Sequence, residues 1–110
     1  MHTIEFRNGQ DKIRLIIEEA TRDRLLIRMK HERFFVTTDA YRSFGIALSK
    51  AFHQLKGEAT LVDSSQLVDL NVSFHRTGVD IVLTIRDKEY VMRTDQSFMT
   101  DSVRQIGLWD

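Results

Sequence analysis

RLLIRMKHERFFVTTDAYRSFGIALSKAF, at positions 24–52, is matched later in the chain by DIVLTIRDKEYVMRTDQSFMTDSVRQIGL, at positions 80–108. Leu25, Ile27 and Met29 fall on Ile81, Leu83 and Ile85. Phe34 and Val36 fall on Tyr90 and Met92, and Thr38-Asp39 falls on Thr94-Asp95. Both stretches hold a strand period of two and then a helical period, in phase with each other. Each half therefore reads as strands, a threonine-aspartate stop and one helix. A unit of this kind has an apolar face that it cannot bury alone, so the two copies must pack together.

Working outward, Ile4 and Phe6 alternate with Thr3, Glu5 and Arg7, and Asn8-Gly9 then gives a two-residue hairpin signal. Ile13, Leu15 and Ile17 form a second alternating run. Thr38 or Asp39 is the expected N-cap of a helix over 39–55, since either side-chain oxygen can accept from the orphan amides of a first turn. Phe44, Leu48, Ala51 and Leu55 recur at helical spacing, and Gly57 is the expected stop. The second half repeats the plan through Leu61, through Val68, Leu70, Val72 and Phe74, and through Val79 to Ile85. Its helix is expected over 96–107, running on to the chain end. Aligning the second strands puts Ile13 on Leu70, a one-residue slip. The expected fold is α+β: two ββββα repeats, about 1–56 and 57–110, with antiparallel sheets in one domain over 1–110. The shared core should include Leu15, Ile27, Phe34, Leu48, Val72, Leu83 and Val103.

The 110 residues are 42% hydrophobic and 29% charged, ordinary for a globular chain and too apolar for disorder. With no cysteine there is no disulfide framework, thiolate metal site or cysteine nucleophile, which suits a reducing compartment. The N-terminal MHTIEFRNGQDKIR has no signal-peptide apolar region, and no apolar run nears the roughly 20 residues of a membrane span. A cytoplasmic location is expected. With no proline, and no Gly-rich linker, the halves should form one body.

Charge separates the repeats. The whole chain is neutral, yet residues 1–56 hold 11 Lys or Arg against 7 Asp or Glu, and the remainder holds 5 against 9. Strand alternation places Arg7, Lys12, Arg14, Arg24, Arg28 and Lys30 on the outward face of the first sheet, with Glu5 and Glu18. Ile16, Leu26 and Phe35 share that face. The second sheet turns out Asp69, Asn71, Ser73, His75, Asp80, Val82, Thr84 and Arg86, a nearly neutral set. Lys and Arg on solvent-facing strands also keep ordinary sheets soluble. What sets the first sheet apart is the apolar interleaving. Arg14, Arg28, Lys30, Arg24, Lys12 and Phe35 are the candidate partner-binding residues.

Catalytic signatures are missing from the sequence: no G-x-S-x-G, Gly-rich phosphate loop, H-E-x-x-H or EF-hand pattern. His2, His31, His53 and His75 are not at metal-ligand spacing and read as surface residues. Asp39 and Asp95 stand at matching helix starts, where capping explains them better than a carboxylate pair. Trp109 is expected to pack the last turn onto the sheet. No catalytic residue, cofactor or metal is expected, and the reading is non-enzymatic.

The duplicated ββββα plan, with Thr-Asp before each helix, resembles the Whirly and PUR-type architecture over almost the whole chain. That resemblance implies two four-stranded sheets packed together, with single-stranded nucleic acid across an open face. The Lys-rich strand signature of plant Whirly proteins has no match here, so no binding residue carries over by identity. The plan is also similar to that of small bacterial immunity proteins of contact-dependent inhibition systems, which occlude a toxin. A nucleic-acid binder is usually basic overall, whereas a neutral, dipolar chain suits a protein partner. The expectation is a toxin-neutralising immunity protein with a protein partner and no membrane. The alternative is single-stranded nucleic acid on the basic face of the first sheet.

Overall fold

Alternation along Ile4-Phe6, Ile13-Leu15, Leu25-Ile27-Met29 and Phe34-Val36 puts all nine side chains on one buried sheet face. The computed structural model describes residues 2–106. The order is β1 (His2–Arg7), β2 (Lys12–Ala20), β3 (Arg24–Met29), β4 (Glu32–Thr37), α1 (Thr38–Gln54), β5 (Gly57–Val62), β6 (Val68–His75), β7 (Gly78–Ile85), β8 (Lys88–Thr94) and α2 (Gln96–Ile106). Strands β1–β4 form one antiparallel meander and β5–β8 a second. This is the expected α+β arrangement of two ββββα units. Among the described residues no helix is long and apolar enough to cross a membrane.

The helices are exchanged between repeats. α1 packs along β5, the first strand of the second sheet, while α2 packs along β1. On β1 the seal is polar as well as apolar. Glu5 N–H donates to Gln105 Oε1 (2.8 Å), and its carbonyl accepts from Ser102 Oγ (2.6 Å). The Thr94 hydroxyl donates to the Arg7 carbonyl (2.7 Å). Each edge group satisfied this way avoids a desolvation cost of about 1–3 kcal/mol. The buried Tyr41 hydroxyl donates to the Ile106 carbonyl (2.8 Å), tying α1 to α2.

One continuous buried cluster spans both repeats. Leu15, Ile27, Phe34, Leu48, Val72 and Leu83 lie in it as expected, and Val103 packs against it half-buried.

Four local expectations are corrected. Thr37, not Thr38 or Asp39, caps α1: its Oγ1 accepts from Ala40 N (3.0 Å), whereas Asp95 caps α2 by accepting from Phe98 N (3.2 Å). The two helices thus begin at different points of the matched Thr-Asp pair. Gly57 does not stop α1; Leu55 takes the left-handed conformation (φ 58°) and its N–H bonds to the Ala51 carbonyl. The first hairpin is a four-residue turn rather than a two-residue Asn8-Gly9 one. Asn8 Oδ1 accepts from Gln10 N (2.9 Å) and Asp11 N (2.7 Å), leaving only Gly9 at positive φ. Finally, Ile27 pairs with Ile17 while its counterpart Leu83 pairs with Leu70, so Ile17, not Ile13, occupies the place of Leu70. Leu70 and Leu83 are 13 positions apart and Ile17 and Ile27 only 10, because β6 and β7 stay paired further beyond this point, to His75–Gly78; the bulge between Ile17 and Glu19 offsets one residue of the difference. Trp109 and the end of the second helix's expected run fall outside the described residues.

Candidate interaction surface

Strand register decides which outward side chains meet. Arg28 pairs with Ile16 on β2 and with Arg33 on β4, and Leu26 pairs with Phe35. Lys12, Arg14, Ile16, Arg28 and Lys30 line one shallow groove of about 320 Å³ on the open face of the first sheet. Four of the six residues expected from sequence are therefore brought together, around an apolar isoleucine.

The other two meet further along. The Arg24 guanidinium lies 4.1 Å over the Phe35 ring, and both line a second cleft of about 320 Å³ with Ser64, Ser65 and Leu67 of the β5–β6 loop. Phe35 is 38% exposed, Leu26 half-buried. A guanidinium so close to the ring face gains cation–π attraction of about 0.5–1 kcal/mol at an exposed site. It also covers that face of the ring.

Carboxylates neutralise part of the groove. Glu5 accepts from Arg14 Nε (3.0 Å), and that bond, helped by the charges of Arg14, Lys12 and Arg7, holds its carboxyl below the usual range against the opposing effect of burial. Glu18 is the bulge residue between the Ile17 and Glu19 pairings. It sits between Arg28 Nε (3.1 Å) and Arg33 Nε (3.0 Å). The Arg28 contact is off the hydrogen-bond line, so it is ionic rather than directed. Among the described residues, Lys12, Arg24 and Lys30 have no carboxylate partner; Lys30 Nζ instead lies 4.9 Å from the Tyr90 ring centre of the second sheet.

Sequence reading missed Arg33 and Tyr90. Arg33 was hidden because the bulge that aims Glu18 at it leaves no mark in alternation. Tyr90 matches the core residue Phe34 in the repeat and so reads as inward; it is half-buried against the core, and its ring also meets Lys30 of the first sheet. The second sheet's outward face is internally satisfied by comparison. Arg93 donates to Asp80 (2.8 Å), Asn71 to Thr60 (2.8 Å) and Ser73 to Asn71 (2.8 Å).

The histidines stay apart. His53 Nδ1 lies 2.8 Å from the Ser49 carbonyl on the exposed side of α1, and His75 Nε2 is 3.1 Å from Asp80. Among the described residues no group of three or more His, Cys, Asp or Glu is placed to hold a metal ion. Comparison with known proteins finds no matching family model, no matching curated protein and no matching solved structure.

Proposed function

We propose that this chain is a non-enzymatic protein-binding domain, most concretely a bacterial toxin-neutralising immunity protein that acts by occlusion with the open face of β1–β4. One observation carries the reading: among the described residues Lys12, Arg24 and Lys30 lack carboxylate partners, Lys12 and Lys30 line the groove at the apolar Ile16, and Arg24 lies over Phe35, which pairs with Leu26. Arg24 stacked on Phe35 has the composition of a protein interface core, and Lys12 and Lys30 that of its polar rim. The oriented carboxylates of Glu5 and Glu18 add acceptors that a protein partner can satisfy and a phosphate backbone would be repelled by. Glu5, held below the usual carboxylate range, keeps its negative charge at neutral pH. The separation of charge between the repeats supports steering of an acidic partner to the first sheet.

The geometry weakens the nucleic-acid alternative at one point. Phe35 is the one outward aromatic of the first sheet among the described residues, and Arg24 already covers it. A base stacking there gains about 1–3 kcal/mol only after displacing the guanidinium.

The test uses the triple variant Lys12→Glu, Arg24→Glu and Lys30→Glu, with circular dichroism to confirm the fold. An acidic protein partner should co-purify with the unaltered chain at about 150 mM salt and be lost from the variant. A labelled single-stranded oligonucleotide, followed by fluorescence anisotropy, should bind weakly at low salt and not at about 150 mM. Submicromolar oligonucleotide binding at that salt, abolished in the variant, would instead place nucleic acid on the first sheet.

A further inference from the structure

Four strand edges close the two meanders, and the molecule treats them differently. The β1 edge is sealed by α2 through Ser102 and Gln105, and α1 packs along the β5 edge. On β4 the Phe35 carbonyl, in mid-strand, accepts from Ser64 N (2.8 Å) of the β5–β6 loop. β8 is the exception: among the described residues β7 is the one element packed along its length, and its hydrogen bonds to the β1 end of the first sheet come from its last residues, Arg93 and Thr94.

The register shows which groups β8 leaves open. The two-residue turn closes on the Ile85–Lys88 pair, so Ile85, Leu83 and Ile81 exchange bonds with Lys88, Tyr90 and Met92. The backbone N–H and C=O groups of Glu89, Val91 and Arg93 then point away from the sheet. Of these, the Arg93 carbonyl receives Asn8 Nδ2 (3.0 Å) at the strand end. Those of Glu89 and Val91 have no bond to another described residue. Val91 also carries the most exposed large apolar side chain of the described residues, at 65%.

We propose that β8 pairs antiparallel with β8 of a second copy of this chain, about a two-fold axis through Val91, joining the second sheets of two protomers into one eight-stranded sheet. The strand is self-complementary in that register and no other. Val91 meets Val91 of the second copy, and Glu89 meets Arg93 in both directions, all on the outward face. Glu89 has no ion-pair partner among the described residues. Arg93 is held in place by Asp80 Oδ1 (2.8 Å) and Thr77 Oγ1 (2.6 Å). Charged residues on an edge ordinarily block pairing. Opposite charges two positions either side of a central valine repel a parallel copy, which sets Glu89 on Glu89, and attract an antiparallel one. The same operation on β4 sets Arg33 on Thr37, with no charge match, on an edge obstructed by Ser64. This pairing leaves the basic face of β1–β4 open in both protomers, and so does not depend on the function proposed above.

The chain has no cysteine, which makes the register directly testable. Opposed residues of a hydrogen-bonded antiparallel pair have Cα atoms about 5.5 Å apart, within disulfide reach. Under copper–phenanthroline oxidation, Val91→Cys should cross-link rapidly to a covalent dimer. Glu89→Cys, four positions from its own copy in this register, and Phe35→Cys should not. Light scattering should give the unaltered protein a mass twice its 12.9 kDa. Glu89→Lys, which replaces two attractive contacts per dimer by two repulsive ones, should raise the dissociation constant about tenfold or more. A monomeric mass at micromolar concentration would overturn the proposal. So would a dimer in which Val91→Cys cross-links no faster than Glu89→Cys, because that dimer uses another surface.

Discussion

Replacing Tyr41 by Phe removes one oxygen and isolates the link between the helices. The hydroxyl donates to the Ile106 carbonyl at 2.8 Å, and the residue is 8% exposed. Losing such a bond costs about 0.5–1.5 kcal/mol, and more where the orphaned carbonyl stays dry. At neutral pH the variant should therefore be less stable by about 1 kcal/mol. Alkaline pH gives the argument a second handle. Burial pushes the Tyr41 phenol up to about 12 from 10.0. Below pH 10 both folded and unfolded chains carry the neutral phenol, and the bond contributes in full. Between 10 and 12 the unfolded chain ionises while the folded one resists, so this contribution falls as pH rises. One pH unit into that window the loss is about 1.4 kcal/mol. The unaltered protein should thus lose its advantage near pH 11, where the two stability curves cross. Urea denaturation of both proteins at several pH values measures the difference directly, because every other titrating group is common to both. A gap that stays constant between pH 8 and about pH 11 would refute the buried, hydrogen-bonded phenol.

Two further outcomes follow from burial and backbone. Leu48 on α1 and Leu83 on β7 are 0% exposed, and truncating either to Ala should cost about 2–5 kcal/mol through lost transfer energy and the cavity left behind, seen as a lower denaturation midpoint. Leu55 ends α1 at φ 58° with its side chain 52% exposed. Leu55→Gly should stabilise by about 0.5–1 kcal/mol in the same assay, since glycine carries no penalty in the left-handed region and little burial is lost.

The fold was legible because its determinants repeat. Leu25-Ile27-Met29 and Ile81-Leu83-Ile85 hold the same face at the same distance from a helix, and that phase suffices to place eight strands and two helices. What escaped was set by tertiary contact. Nothing local distinguishes Thr37 from Thr38 as a cap; the choice depends on where β4 releases the chain, and Thr38 N is drawn to the Asp23 carbonyl (2.9 Å). The four-residue first turn was obscured by Asn8-Gly9, whose usual tight turn yields to an Asn8 side chain that binds the two amides following Gly9. The basic face itself was readable from alternation, including the grouping of Lys12, Arg14, Arg28 and Lys30. Which of those cations remain unpaired was not, because it turns on the bulge that delivers Glu18 to Arg28 and Arg33.

Equivalent positions of the two repeats have been put to different uses, and the difference follows from small local changes. Asn8 and Asp63 both leave the first strand of their sheet and both bind following amides, the latter accepting from Leu67 N (2.6 Å) and Val68 N (2.9 Å). The longer second loop reaches over to the Phe35 carbonyl through Ser64, whereas the shorter first loop hydrogen-bonds β8 through Asn8 at Arg93, near the strand's end. One loop therefore obstructs the middle of β4, and the other leaves the middle of β8 open. On the faces the asymmetry runs the other way. The second sheet's polar groups bind one another, while the first sheet keeps Lys12, Arg24 and Lys30 without carboxylate partners among the described residues. A duplicated unit has in this way separated an open face from an open edge. The partner binding proposed for the first sheet and the self-association proposed for the second therefore draw on different residues.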